Sequence, residues 1–316
     1  MRISVLIPCY NAASFIEATL ESVLANLELE DEVILVDDHS EDDSMKSARR
    51  WLEDKGVKNT VVLNPDKGAC SARNHAFELS SGELIQWLDA DDILAAGKIK
   101  QQKQHIKENL STLVVSPFRP FTGDPVTGII SDGREWAVSS ILTPSDWMAS
   151  GQMTIPACWL GHRTVFENAG PWDNRLHVNQ DGEYFARALA AADSVHYESG
   201  TEVYYRKGVS GSVSQFTADK AESLYKSVES IHRTALSLED STRMRQMVAN
   251  LYQHAIYTAY PHCSPGQELA ESQLQLLPTP DIQNPNAISP LSKAFTRVFG
   301  WKALTRARML RNRLVQ

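Results

Sequence analysis

Apolar runs and helical spacings alternate along the first part of the chain. "ISVLIP" (residues 3–8) is a short apolar run closed by a proline, and "EVILVDD" (32–38) and "TVVLN" (60–64) are two more. Runs of this length bounded by turn residues predict buried strands. Between the first two the period changes: Ile16, Leu20, Val23, Leu24 and Leu27 repeat at helical spacing behind Ser14 and Glu17, an S-x-x-E capping signature. A second helix is expected to run to about residue 53 and a third over "ACSARNHAFELS". A fourth strand is expected over "ELIQWLD", then a helix over 97–108 and a strand over "TLVVSPF". Continuous apolar strands separated by helices predict an α/β fold, a mostly parallel sheet flanked by helices on both faces.

After residue 118 the pattern loosens. "RPFTGDPVTGIISDGREW" is turn-rich and reads as a hairpin, "TPSDWMAS" as a short capped helix and "IPACWLGHR" as a strand. "NQDGEYFARALAA" is helical, and "SVHYESGTEVYYR" holds two short strands. From about residue 217 the chain reads as helices, interrupted by a Pro-rich region and closed by a basic amphipathic helix. The expected organisation is a domain over 1–216, with halves 1–118 and 119–216, then a helical extension over 217–316.

Composition narrows the class. With 316 residues and 42% hydrophobic side chains, the chain can bury a sizeable core without disulfides. Cys9, Cys70, Cys158 and Cys263 are far apart and form no C-x-x-C pair, so neither a zinc ribbon nor a redox motif is indicated. Free thiols suit a cytoplasmic protein. The N-terminal apolar run, broken by Pro8, is too short for a signal peptide, and no apolar run reaches membrane-spanning length. The net charge of −8 argues against a nucleic-acid binder. That charge is unevenly spread: residues 282–316 hold seven Lys or Arg and no acid, leaving −15 on the rest.

The candidate chemistry sits just after the strands, where ligands bind in parallel sheets. Residues 8–11, 37–40, 64–68 and 89–92 each follow a strand and are predicted to line one crevice. "DADD" crowds Asp89, Asp91 and Asp92, which repel one another. A hard divalent cation, Mg²⁺ or Mn²⁺, bridging to a diphosphate would relieve that repulsion; a solvated acidic turn with Asp92 as a helix cap explains the same four letters. Asp37 and Asp38 in "VDDHS" would accept hydrogen bonds from a base or a ribose, or cap the next helix. Gly68 would permit close backbone approach or simply a turn. Arg73, followed by Asn74, would face a nucleotide or pair with an Asp. Asp181, after Gln180, would be a general base or a helix N-cap. His162, His177 and His196 are scattered and predict no ligand set.

Taken in order, "SVLIPCYNAASFIEATLESVLAN", "DEVILVDDHSEDDS", "NPDKGACSARNHAFELSSGELIQWLDADDIL" and "NQDGEYFARAL" resemble the successive motifs of family 2 glycosyltransferases, inverting enzymes of the GT-A fold. The resemblance runs from residue 3 to about 206 and does not reach the helices after 217. It implies that Pro8, Tyr10 and Asn11 lie near the nucleotide, with Asp37 or Asp38 on uracil or ribose. Gly68 and Arg73 would help hold it. Asp89 and Asp91, flanking Ala90, would be the D-x-D pair, with Asp91 the direct metal ligand and Asp89 nearer the ribose. Asp181 matches the catalytic base. Gln180 stands where the family has Glu, and His39 where it has Gly, which predicts a tight turn. "GHRTVFENAGPWDNRLHVNQD" resembles the acceptor-side segment, implying that Trp159, His162, Trp172 and Gln180 border the acceptor; a core role explains the two Trp rings equally well. "YYRKGVSGSVS" resembles a loop near the phosphates, implying Arg206 and Ser212 there.

The implied activity is metal-dependent, inverting transfer of a hexosyl or N-acetylhexosaminyl group. The donor would be a UDP-sugar, and the acceptor a glycan or a lipid-linked cell-envelope intermediate. A sugar-phosphate nucleotidyltransferase would need a Gly-rich, basic loop after the first strand, where this chain has "PCYNAAS". A non-catalytic nucleotide-sugar binder would not need Asp181 beside both D-x-D carboxylates. The C-terminal stretch "SPLSKAFTRVFGWKALTRARMLRNRLVQ" has the composition of an interfacial helix on anionic lipid, which would place the protein peripherally on the inner face of the plasma membrane. A terminal helix docked on the acidic body fits the same letters.

Overall fold

The computed structural model of the chain describes residues 1–107, 109–125, 127–130, 140–152, 154–208, 216–262, 265–284 and 289–315. It divides into two units, Met1–Ser214 and Gln215–Gln316.

In the first unit the apolar runs pair as read. β1 (Ile3–Cys9), β2 (Glu32–Asp37), β3 (Asn59–Leu63) and β4 (Leu84–Trp87) are parallel, with β1 between β2 and β4. β1, β2 and β4 are almost wholly buried because helices cover both faces. The connecting helices are α1 (Ile16–Leu24), α2 (Ser44–Asp54) and α3 (Ala69–Leu79). A short β5 (Ile93–Leu94) and α4 (Lys98–Ile106) follow.

The "TLVVSPF" run is two strands rather than one. β6 (Thr112–Val115) joins the large sheet, whereas β7 (Phe118–Phe121), set off by Pro117, joins a small one. β8 (Ile141–Leu142) and α5 (Pro144–Ala149) come next, the helix closed by a capping box between Thr143 and Asp146. "IPACWLGHR" splits into a 3₁₀ turn over Pro156–Cys158 and β9 (Trp159–His162), which runs antiparallel to both β4 and β6. Then follow α6 (Arg163–Ala169), α7 (Gln180–Ala190), β10 (Ser194–Tyr197) and β11 (Val203–Arg206). The large sheet has the order β3-β2-β1-β4-β9-β6-β10-β8, and the small one β5-β11-β7. Of the expected hairpin after residue 118, the described residues show one antiparallel bridge, Phe121 to Ile129.

The expected capping box on α1 is absent. The helix starts after Phe15 with no side-chain cap, and the preceding amides of Ala12 and Ala13 are taken instead by Ser44 Oγ and Asp42 Oδ2. These two contacts tie the loop after β1 to the loop after β2.

The second unit is helical: α8 (Ala218–Leu238), α9 (Thr242–Ala259), α10 (Pro265–Leu274), α11 (Pro290–Phe299) and α12 (Trp301–Val315). Among the described residues no helix is long and apolar enough to cross a membrane.

Candidate active site

The strand order of the large sheet turns at β1: β2 and β3 follow on one side of it, and β4 lies on the other. A crevice of about 220 Å³ opens at the carboxyl ends there, as expected for such a switch point. Pro8, Tyr10, Asn11, Phe15, Asp38, Arg73, Asp89, Ala90 and Asp91 are among its lining residues. Three of the four predicted stretches therefore line it. The fourth, residues 64–68, acts from behind: the Gly68 amide donates to both carboxylate oxygens of Asp38 at 2.8 and 3.0 Å, and Asn64 Nδ2 donates at 2.8 Å. Gly68 has φ +118°, which explains the glycine; an added Cβ would meet no atom within 4 Å, so close approach does not.

The paired aspartates part company. Asp38 lines the crevice. Asp37 is buried; its Oδ2 accepts from the Ser40 amide at 2.9 Å and its Oδ1 has no hydrogen-bond partner. His39 adopts φ +63°, the left-handed turn that a glycine would take without strain. Asn11, also left-handed at φ +48°, spans the gap between loops: its amide donates to Ser40 Oγ and its Oδ1 accepts from the Glu41 amide.

"DADD" is neither a solvated turn nor a cap, because α4 is preceded by Gly97. Asp92 is completely buried, with Oδ1 accepting from the Arg206 amide at 3.0 Å and Oδ2 unpartnered. Burial, then the charges of Asp89 and Asp91, push its carboxyl well above the ordinary range. Asp91 is pushed up to about 6 by burial and by Asp89. Asp89 is held by Arg73, whose Nη2 lies 2.8 Å from Oδ1. The Ala90 carbonyl between them accepts from Thr19 Oγ1, fixing the turn.

Asp181 lies in the first turn of α7 and is not its N-cap; that position is Asn179, which makes no side-chain cap. Burial raises the Asp181 carboxyl against the opposing charge of Arg73. Gln180 beside it accepts from Arg73 Nη1 at 3.2 Å and donates to the Leu176 carbonyl at 2.7 Å. Arg73 itself lies 4.6 Å over the ring of Trp172, and so is clamped on three sides.

Arg206 closes the other flank. Its Nε donates to the Asp91 carbonyl and its Nη1 to the Gly123 carbonyl, each at 2.9 Å, and its guanidinium lies over Phe15 and Phe121. Tyr205 is pushed up to about 12 by burial and by the charges of Asp92, Asp89, Asp91 and Asp181. Four carboxyl groups thus share this corner with two guanidiniums, and the donors they offer are all oxygen. Such a set fits a divalent cation of the Mg²⁺ or Mn²⁺ type.

Other expectations are corrected. Trp159 is 1% exposed, stacks on Phe185 and gives its indole N–H to Thr154 Oγ1, so it is core. Trp172, 2% exposed and stacked on Tyr184 at 3.9 Å, is also core, serving the site only as the platform under Arg73. His162 pairs with Leu84 at the amino end of β4, opposite the crevice, and caps α6 through Thr164. Ser212 and Cys263 fall outside the described residues, and the other three cysteines are buried free thiols. Phe15 and Tyr205 were not legible as site residues, because a lone aromatic carries no spacing signal.

The sequence profile of glycosyl transferase family 2 matches residues 4–170. One similar curated protein is the UDP-Glc:alpha-D-GlcNAc-diphosphoundecaprenol beta-1,3-glucosyltransferase WfgD of Escherichia coli, 35% identical over 34% of this chain and 43% of its own length. The chain spans about a third of the length of the curated relatives it matches, 29% and 31% in two cases and 42% in another. Among solved structures, TarS 1-349 of S. aureus with UDP-GlcNAc superimposes with a TM-score of 0.61, at 16% identity, over 87% of this chain and 88% of that one. The mannosyltransferase PcManGT of Pyrobaculum calidifontis with GDP-Man and Mn²⁺ does so with 0.56, at 16% identity, over 98% and 87%. These likenesses show that the fold is GT-A.

Proposed function

The chain belongs to glycosyl transferase family 2, and on that premise we propose that it is an inverting glycosyltransferase. The donor is a nucleoside diphosphate sugar, a UDP-sugar, and the acceptor a hydroxyl of a glycan or lipid-linked cell-envelope intermediate. The observation that carries this reading is the clustering of Asp89 and Asp181 around Arg73, with Asp91 beside Asp89, at the switch point of the sheet. The choice of UDP and of a lipid-linked acceptor is supported by the names of WfgD and of the TarS complex.

Asp91 and Asp89 would hold a divalent cation, which when bound neutralises charge on the diphosphate leaving group. Pro8, Tyr10 and Asp38 border the nucleotide, the last kept in place by Asn64 and Gly68. Arg73 and Arg206 add fixed positive charge beside the phosphates, where preorganised charge stabilises the departing group most. Asp181, made more basic by burial, takes the proton of the acceptor hydroxyl as that oxygen attacks the anomeric carbon. One displacement by one base inverts the configuration. NMR of the first-formed product should show an anomeric configuration opposite to the donor's, and Asp181→Asn should abolish transfer while sparing donor binding. A product of retained configuration contradicts the mechanism.

The acceptor reading extends to a membrane partner. α11 carries its apolar face outwards: Leu291, Val298 and Phe299 are 85%, 73% and 64% exposed, whereas Ser292 is buried. With seven basic and no acidic residues over 282–316, that face suits an anionic phospholipid surface.

A further inference from the structure

Away from the crevice, three side chains that are far apart in sequence meet. His105 lies in the last turn of α4, His196 in β10 and Glu198 just beyond that strand. Each offers a ligand atom, and these atoms all lie within 4.8 Å of one another. The two imidazoles stack, with centroids 3.5 Å apart and planes 14° from parallel. His105 Nε2 lies 2.7 Å from Glu198 Oε2. We propose that His105, His196 and Glu198 form a binding site for one Zn²⁺ ion, separate from the D-x-D pair.

The donor chemistry selects the ion. Two imidazole nitrogens and one carboxylate oxygen suit Zn²⁺, with water completing a tetrahedron, whereas Mg²⁺ and Ca²⁺ prefer oxygen alone. Zinc–nitrogen bonds of about 2.0–2.1 Å set ligand atoms about 3.4 Å apart, and the three ligand atoms here already lie within 4.8 Å of one another. Parallel rings aim their lone pairs side by side, so convergence needs ring rotation. The final torsion of histidine joins an sp³ to an sp² carbon and is soft.

The frame is rigid where it must be. His196 is held in the sheet between Val114 and Ile141, and α4 packs on β6. Glu198 Oε1 accepts from the Gly200 amide at 2.7 Å, which leaves Oε2 turned to His105. Such outer hydrogen bonds are what orient ligands in metal sites. His105 and Glu198 side chains are 28% and 18% exposed, so an ion has a way in. A plain ion pair accounts for His105 and Glu198 alone. It gives no part to the second imidazole, which would repel the first if both were protonated; a metal ion uses all three.

The test uses the full chain carrying Asp89→Asn and Asp91→Asn, so that the crevice does not compete. The protein is stripped with chelator and titrated with Zn²⁺ against a chromophoric chelator. One ion per chain, a Zn²⁺-dependent rise in Tm and an X-ray absorption spectrum with two imidazole nitrogens are expected. His196→Gln and Glu198→Gln should each weaken binding by more than the roughly 10–100-fold that loss of an outer-shell partner costs. His105→Gln gives the same readout should either variant fail to fold. Undiminished Zn²⁺ affinity in these variants, or no saturable binding in the parent, overturns the proposal.

Discussion

The guanidinium of Arg73 lies 2.8 Å from Oδ1 of Asp89, and through its other terminal nitrogen it reaches Oε1 of Gln180 at 3.2 Å. One side chain thereby joins the D-x-D turn after β4 to the first turn of α7, where Asp181 stands. A planar fork resting on Trp172 makes the two bonds through separate nitrogens held in a fixed plane; the flexible ammonium of a lysine offers a single nitrogen and no such plane. Losing one hydrogen bond between charged groups costs about 1.5–3 kcal/mol, or roughly 10–100-fold in affinity. Arg73→Lys should weaken UDP binding by that factor, measured by calorimetry, with the fold intact. Unchanged binding would mean that Arg73 is only structural.

Asp38 is expected to act through the loop it organises. Its carboxylate receives the Gly68 amide and Asn64 Nδ2, so Asp38→Ala leaves two donors without their acceptor. An unsatisfied group costs about 1–3 kcal/mol. Urea unfolding should show a loss in that range, with weaker nucleotide binding beside it. A variant as stable as the parent would show that these hydrogen bonds are replaced by water at no cost.

Lys98 makes stability depend on pH. It is buried, with Nζ 2.8 Å from Gln86 Oε1 and 2.6 Å from Gln102 Oε1, and burial pulls it down to about 7. The folded chain prefers the neutral amine, whereas the unfolded chain keeps its proton up to the ordinary 10.5. Unfolding therefore takes up a proton between these values, and stability rises with pH by up to about 1.4 kcal/mol per pH unit. The buried thiols of Cys9 and Cys158, pushed up to about 12, oppose this only above their ordinary 9. Urea unfolding across the window from 7 to 9 should show the rise, and Lys98→Met should flatten it. An equal slope in the variant would assign the rise elsewhere.

The outward face of α11 predicts salt-sensitive binding to vesicles. Each basic residue near an anionic surface contributes about 1 kcal/mol. In flotation, the full chain should rise with phosphatidylglycerol vesicles and stay behind with phosphatidylcholine. Leu291→Glu with Val298→Glu should abolish flotation. Flotation with neutral lipid alone would point to the apolar face without the charge, and none with either lipid would exclude the membrane as the occupant.

The crevice was legible in the sequence because its parts follow buried apolar strands. β1, β2 and β4 are readable as short, mostly apolar runs, and the carboxyl-end rule then places residues 8–11, 37–40 and 89–92 together. What the letters do not carry is direction and face. The acceptor-side placing of His162 fails because β9 runs antiparallel to β4, which carries the end of that strand away from the crevice, and that of Trp159 because its ring is buried in the core. Asp37 and Asp38 are adjacent in sequence, yet the pleat sends one inwards and one to the crevice. Asp92 looks like a cap beside a helix until the Arg206 amide, 114 residues away, takes its oxygen. The pairing of His105 with Glu198 spans 93 residues, with no spacing to announce it.

The central claim is that the crevice binds a nucleotide sugar through a cation held at Asp89 and Asp91. Its most direct test is the melting temperature of the full chain with a panel of nucleotide sugars in Mn²⁺, in Mg²⁺ or in chelator. A ligand that binds only the folded state raises Tm by mass action. A rise with one UDP-sugar is predicted, present with the cation, lost in chelator and lost in Asp91→Ala. No rise with any nucleotide sugar in either cation would contradict the claim.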